Sequence, residues 1–443
     1  MKRLLIIQVA ALSSDLLRRN QDLLPAELTF RPMQGVFPAV TCTAQGSFRT
    51  ASPPAQHGMI ANGLYLRDLH RPMFWEQSAD LVRGQRIWEG FRRRGGRVGV
   101  LFWQQSLGEA ADVILSPAPI HKHHGGMIQD CYSEPAGLYA RLCREVGRPF
   151  RLTHYWGPRA SARAGDWIAA ATGALLDDPE VAPDLCLTYL PGLDYDLQRW
   201  GTTHPKARRA LGATLQQMGL LLAAGRRRGY EVLIFGDYAV ADTPAGAVFP
   251  NRALKEAGLM KVREIRCMEY PDFHSSRAFA VVDHQIAHVY TRNAADAEAA
   301  RRVLAELPGV AEVLDRAAQA QLDLNHPNSG ELVIVAQEGK WLAYPWWTDN
   351  RRKPDYASHV DIHNKPGYDP CELLLGWPPM SVSQNTDRIR GSHGRVGPGR
   401  EVAWAATMEL PGQVLTLIDL AGNVRDWLNG ADGSEASRRG TIL

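Results

Sequence analysis

Thr41 and Asn62 are the two residues whose types and spacing most invite chemistry. Thr41 lies in Phe37-Pro38-Ala39-Val40-Thr41-Cys42-Thr43-Ala44-Gln45, and Asn62 closes His57-Gly58-Met59-Ile60-Ala61-Asn62. A threonine hydroxyl is a weak nucleophile at neutral pH and needs a metal or an adjacent base to activate it. At a helix start it would sit beside free backbone N–H groups and the positive end of the helix dipole, which suit a phosphate. Asn62 could donate its amide hydrogens to a non-bridging phosphate oxygen. The local sequence also admits a structural reading, with Thr41 as an N-cap and Asn62 as a turn residue before Gly63.

The elements that must position these residues alternate between strand and helix. That order predicts a mostly parallel α/β sheet with helices on both faces. Residues 4–9 read as a buried first strand, although Met1-Lys2-Arg3 and the short apolar run superficially resemble a signal peptide that Gln8 interrupts. A helix is expected from Thr41 towards Thr50, with further helices at 85–94, 135–146, 164–176 and 205–228. Strands are expected at 96–103, 185–190 and 231–235, and Asp194 and Asp237 follow the last two. Ligand sites in open α/β sheets gather at that carboxyl edge. Residues 278–337 read as a small α+β insert of β-α-β type, with strands at 279–283, 288–290 and 332–337 and a helix at 294–307. The main domain would then comprise 1–277 and 338–430, and the polar stretch 431–443 a disordered tail.

The Thr41 and Asn62 segments, and their separation, resemble the nucleophile region of the alkaline phosphatase superfamily, in its type I phosphodiesterase/nucleotide pyrophosphatase branch. The resemblance runs in order from Leu4 to about Arg395. It implies an alkaline-phosphatase-like fold, Thr41 as nucleophile and two zinc ions held by Asp and His. Asp194 matches one ligand Asp, but Gln198 stands where a His is expected. Asp237 matches another, with Tyr238 in place of its neighbouring His. His393, in Arg390-Gly391-Ser392-His393-Gly394-Arg395, matches the final His. Ala10 stands where the first strand should end in Asp. Three ligand positions are therefore lost. Gln and Tyr are poor zinc ligands, so an oxygen-rich remnant would suit Mg²⁺ or Mn²⁺ better than a zinc pair. The cofactor expected is a divalent metal (Zn, Mn or Mg), one or two ions, and a site that binds none stays open. Asp361 and His363 rank first as replacement ligands, ahead of Asp283-His284-Gln285-Ile286-Ala287-His288 and the His121-Lys122-His123-His124 loop. For each cluster alone a structural or surface role is the stronger reading. Asn62, Gln198 and Tyr238 are expected to touch the substrate.

Composition bounds the partner classes. The 443 residues carry a formal charge of +3 with 45% hydrophobic and 22% charged residues, a globular balance. That charge is too small to imply nucleic acid or membrane as the main partner, and Arg92-Arg93-Arg94 and Arg226-Arg227-Arg228 read as solvated helix ends. Six scattered cysteines suit a reduced, cytoplasmic protein. Aromatic groups in loops (Phe74-Trp75, His154-Tyr155-Trp156, Trp346-Trp347) read as core first and pocket wall second. The function expected is metal-assisted hydrolysis of phosphate esters on a small phosphorylated metabolite. The alternatives are a non-catalytic phospho-metabolite binder and a group transferase of the same superfamily.

Overall fold

Leu4–Val9 (β1) is Leu-Leu-Ile-Ile-Gln-Val, fully buried along its length, as a strand covered on both faces must be. The computed structural model describes residues 1–25, 27–123 and 126–430, and the tail expected at 431–443 lies outside them. Around β1 is an eight-stranded sheet built from Arg31–Met33 (β2), Val98–Leu101 (β3), Val113–Pro117 (β4), Cys131–Glu134 (β5), Leu185–Leu190 (β6), Glu231–Gly236 (β7) and Val402–Ala406 (β12), in the order β2-β12-β7-β1-β6-β3-β4-β5. The five strands β7, β1, β6, β3 and β4 run parallel. The flanking strands are antiparallel. The fold is the expected mixed α/β one, with a mostly parallel central sheet.

A second sheet is antiparallel throughout. It contains Ala278–Asp283 (β8), Ile286–Thr291 (β9), Val310–Leu314 (β10) and Leu332–Ala336 (β11), ordered β8-β9-β11-β10. It is richer than a β-α-β unit. The short, half-exposed β10 and the helix Arg316–Gln321 have too little apolar run to announce themselves in sequence. Each sheet has its own apolar core, one around β1 and one around β8 and β9.

Two expected helices start late. The one expected at 135–146 begins at Leu138 because Gly137 adopts φ 81, outside helical space. The one expected at 85–94 forms only over Glu89–Arg93, and the Ile87 N–H before it donates to the Arg49 carbonyl. Among the described residues no helix is long and apolar enough to cross a membrane.

The helix Thr41–Thr50 (α1) is buried at nine of its ten positions. Near its carboxyl end the fully buried Arg49 donates to the Gln104 and Gln105 carbonyls at 2.5 and 2.7 Å and pairs with Glu109 at 3.4 Å. This holds α1 to the loop after β3 and so fixes Thr41 at its other end. Removing one member of a buried ion pair leaves the other charge uncompensated. Glu109→Ala should therefore cost about 3–5 kcal/mol of stability, read as a lower urea midpoint, and an unchanged midpoint would refute this anchoring role.

Candidate active site at the carboxyl edge of the central sheet

Thr41 opens α1, only 4% exposed, and lines a cleft of about 1040 Å³. Asp194, Tyr238, His284, His363, Tyr368 and His393 line the same cleft. Asp194 lies in the first turn of Gly192–Trp200 (α2), just beyond β6. Tyr238 follows β7, and Gly391–Ser392 pairs with Ala241–Asp242 to bring His393 back beside it. His284 comes from the other core. It is the first residue of the two-residue turn between β8 and β9, with φ 61.

Four rings lie in a row across the site, stacked at both ends and tilted by 34° at the central His393–His284 contact. Tyr238 lies on His393 with centroids 3.5 Å apart and planes 8° off parallel. His393 lies on His284 at 3.7 Å, and His284 on Tyr368 at 3.6 Å. The Tyr368 hydroxyl donates to Gln198 Oε1 at 3.0 Å, and Gln198 Nε2 donates to Asp194 Oδ2 at 2.5 Å. The phenol of Tyr238 lies between Thr41 and Asp194 and interacts with both, though neither contact closes to hydrogen-bond geometry. Tyr189 also approaches Thr41. Gln198 and Tyr238, at two of the altered ligand positions, thus belong to one closed circuit around Asp194.

Protonation states follow from partners and burial. A carbonyl can only accept, so His393 Nδ1, 2.8 Å from the Ala39 carbonyl, carries the hydrogen and Nε2 keeps a lone pair. That lone pair faces Asp194 Oδ1 at 3.8 Å, and Oδ1 has no hydrogen-bond partner. Burial pushes the Asp194 carboxyl up to about 7 and holds His393 and His284 well below the usual imidazole range. His284 Nδ1 lies 2.6 Å from Asp283 Oδ1.

The other sequence-predicted residues are differently engaged. Asp237 Oδ1 accepts from the Ala11 and Tyr238 N–H groups, and Oδ2 from Gln8 Nε2, all at 3.0 Å. Burial raises its carboxyl to about 8. A neutral Asp237 could donate from Oδ2 to the otherwise unpartnered Gln8 Oε1 by a turn of that amide. Asn62 is equally committed. Its Oδ1 accepts from the Cys42 N–H at 3.0 Å, and its Nδ2 donates to Asp283 at 3.1 Å. His363 reaches the cleft, but its Nδ1 bonds the Phe74 carbonyl at 3.1 Å, and Asp361 is held by Asn364. His121 lines the cleft as well, while His124 lies outside the described residues.

Asp283 and His284 are site residues that sequence reasoning placed low, and Tyr368 is one it did not single out. The signal was present: a polar Asp-His-Gln between two apolar strands is a buried hairpin tip, and a tip has to point at something.

The donor set decides how much metal fits. A two-ion centre does not, because Ala10 offers no ligand, Tyr238 is stacked and Asp237 is consumed by its anchors. Among the described residues no three His, Cys, Asp or Glu side chains converge as a metal cluster. Asp194 Oδ1 and His393 Nε2, 3.8 Å apart, are the pair that would hold a single cation. Solvent or substrate oxygens would complete it.

Asp237 yields a stability prediction. Its folded-state value, about 8, lies above the ordinary 3.8, so between those pH values the native state holds a proton that the unfolded chain has lost. Stability of the metal-free protein should be fullest below pH 3.8 as far as this group is concerned, and its contribution should fall as pH rises to about 8. Asp237→Asn should flatten that slope in denaturation measured across the window. A slope identical to the parent's would show that Asp237 is ionised in the fold.

The family model described as type I phosphodiesterase / nucleotide pyrophosphatase matches residues 4–369. Among solved structures, phosphonoacetate hydrolase from Sinorhizobium meliloti 1021, in complex with phosphonoformate, superposes with a TM-score of 0.64 at 18% identity, over 97% of this chain and 96% of that one. Murine ectonucleotide pyrophosphatase / phosphodiesterase 5 superposes with a TM-score of 0.60 at 12% identity, over 97% and 95%. An inactive form of that murine protein is in complex with AMP. No curated protein sequence matches the chain.

Proposed function

The chain belongs to the type I phosphodiesterase/nucleotide pyrophosphatase family of phosphoric ester hydrolases in the alkaline phosphatase superfamily, and we propose that it hydrolyses phosphate esters through Thr41. The observation that carries this reading is the place of Thr41, at the first turn of a buried helix and on the wall of the cleft. Thr41 Oγ1 attacks phosphorus in line with the leaving oxygen, forming a phosphothreonine as the P–O bond to the leaving group breaks. Water then opens the phosphothreonine and restores the hydroxyl.

Once the Tyr238 phenol closes onto both Thr41 and Asp194 with substrate bound, it gives the hydroxyl proton a route to Asp194. In the ion-free site burial raises that carboxyl to about 7, making it a stronger base than an ordinary one, whereas an ion held beside it would lower it and activate Thr41 by its own charge. Asp194 and His393 would hold one divalent ion (Zn²⁺, Mn²⁺ or Mg²⁺), which when bound supplies positive charge against the phosphate oxygens. Gln198 positions Asp194 through its amide. For Asn62 to hold a non-bridging oxygen, its amide must exchange Asp283 for the substrate. A small phosphorylated metabolite and a cytoplasmic setting remain part of the reading, and the latter is supported by six unpaired cysteines.

A non-catalytic phosphate binder is the second reading. It is favoured by the saturated Asn62 and Asp237 and by the lost ligand positions.

Two measurements divide these readings. Thr41→Ala should reduce bis-p-nitrophenyl phosphate turnover by at least about a thousandfold while leaving the thermal midpoint unchanged. Turnover that survives this change would remove Thr41 as nucleophile. Elemental analysis should find one equivalent of divalent metal in the parent and loss of it in His393→Ala. A parent without metal and without turnover under any ion would favour the binder.

A further inference from the structure

The outer side of the cleft mouth carries exposed apolar side chains. The segment Leu375–Val382 closes on itself through a bridge between those two residues, and its tip carries Trp377 and Met380, exposed at 86% and 93%. Across the mouth is the hairpin of Ile120–His121 and Met127–Ile128. Its cross-strand partners Ile120 and Ile128 are exposed at 58% and 51%. Both segments also line the cleft, through His121 and Met127 on one side and Leu375 and Met380 on the other. Apolar rim and cleft wall are therefore continuous, and a Trp at an exposed tip suits a lipid–water boundary.

Charge accompanies this surface. The helix Leu152–Tyr155 lines the cleft, and Arg148, Arg151, Arg159 and Arg163 all act on its His154. All four arginines are exposed, and none forms an ion pair among the described residues. A basic cluster beside protruding apolar side chains is the combination that binds an anionic bilayer surface peripherally.

We propose that this rim docks onto an anionic lipid surface, so that the cleft opens towards phosphate esters with an apolar chain. The substrate class rests on the proposed hydrolysis, whereas the docking does not. It departs from the expectation of no membrane partner, which came from net charge and could not register a local patch.

Sedimentation with phosphatidylcholine vesicles, with and without phosphatidylglycerol, tests the proposal. The Thr41→Ala protein should pellet with the anionic vesicles, less so as salt rises. Adding Trp377→Ser and Ile128→Ser to that Thr41→Ala chain should lose association by at least about tenfold, while the same double variant with Thr41 intact matches the parent in thermal midpoint and in turnover of soluble bis-p-nitrophenyl phosphate. Protein that stays in the supernatant with both vesicle types would overturn the proposal. So would a double variant that pellets as well as the parent. A dimer in solution that the double variant dissociates, without vesicle binding in the parent, would assign the rim to a second copy instead. Because the sedimentation uses a chain without Thr41, a failed nucleophile assignment leaves this result readable.

Discussion

Asp194 holds a buried carboxylate oxygen without a hydrogen-bond partner, 3.8 Å from the Nε2 lone pair of His393. Two facing acceptors in a low-dielectric site cost free energy unless a proton or a cation lies between them. The surrounding groups hold that geometry in place. Gln198 grips the other oxygen, Tyr368 grips Gln198, and the ring stack returns from Tyr368 to Tyr238. The site is thus a closed loop of polar and aromatic contacts around one open position.

That loop also joins the two cores. His284 and Asp283 belong to the second sheet, yet Asp283 holds Asn62, and Asn62 caps the Cys42 N–H in the first turn of α1. The Gln285 N–H donates to the His393 carbonyl at 2.8 Å. Thr41 is therefore located by contributions from both sheets. Arg49 and Glu109 fix α1 from its other end, so its position is determined twice.

Much of this was legible in sequence where one signal dominated. The continuous apolar run of 185–190 defined its strand to the residue, and Pro205 with the long apolar periodicity defined the helix Pro205–Arg227. Thr41, Asp194, Tyr238 and His393 were expected together from the resemblance, and all four line one cleft. What stayed hidden was long-range pairing. Asp237 reads as a ligand beyond a strand, and only the fold reveals that Gln8 and the Ala11 N–H occupy it. His284 and Tyr368 are 84 residues apart in sequence and 3.6 Å apart as rings, a relation that no local pattern encodes.

The circuit around Asp194 also constrains how this site can change. Gln198→His would offer a metal ligand but would release both Asp194 and Tyr368 from their bonds. Tyr238→His would offer another and dismantle one end of the stack. Ala10→Asp would set a carboxylate close to Asp237, whose own carboxyl burial already keeps towards neutrality. Each step toward a fuller metal centre either loses an existing partner or sets two carboxyls together before the next ligand is present to compensate. The present arrangement is a local optimum separated from the two-ion one by a valley, and a lineage that has entered it would leave only through several coordinated substitutions.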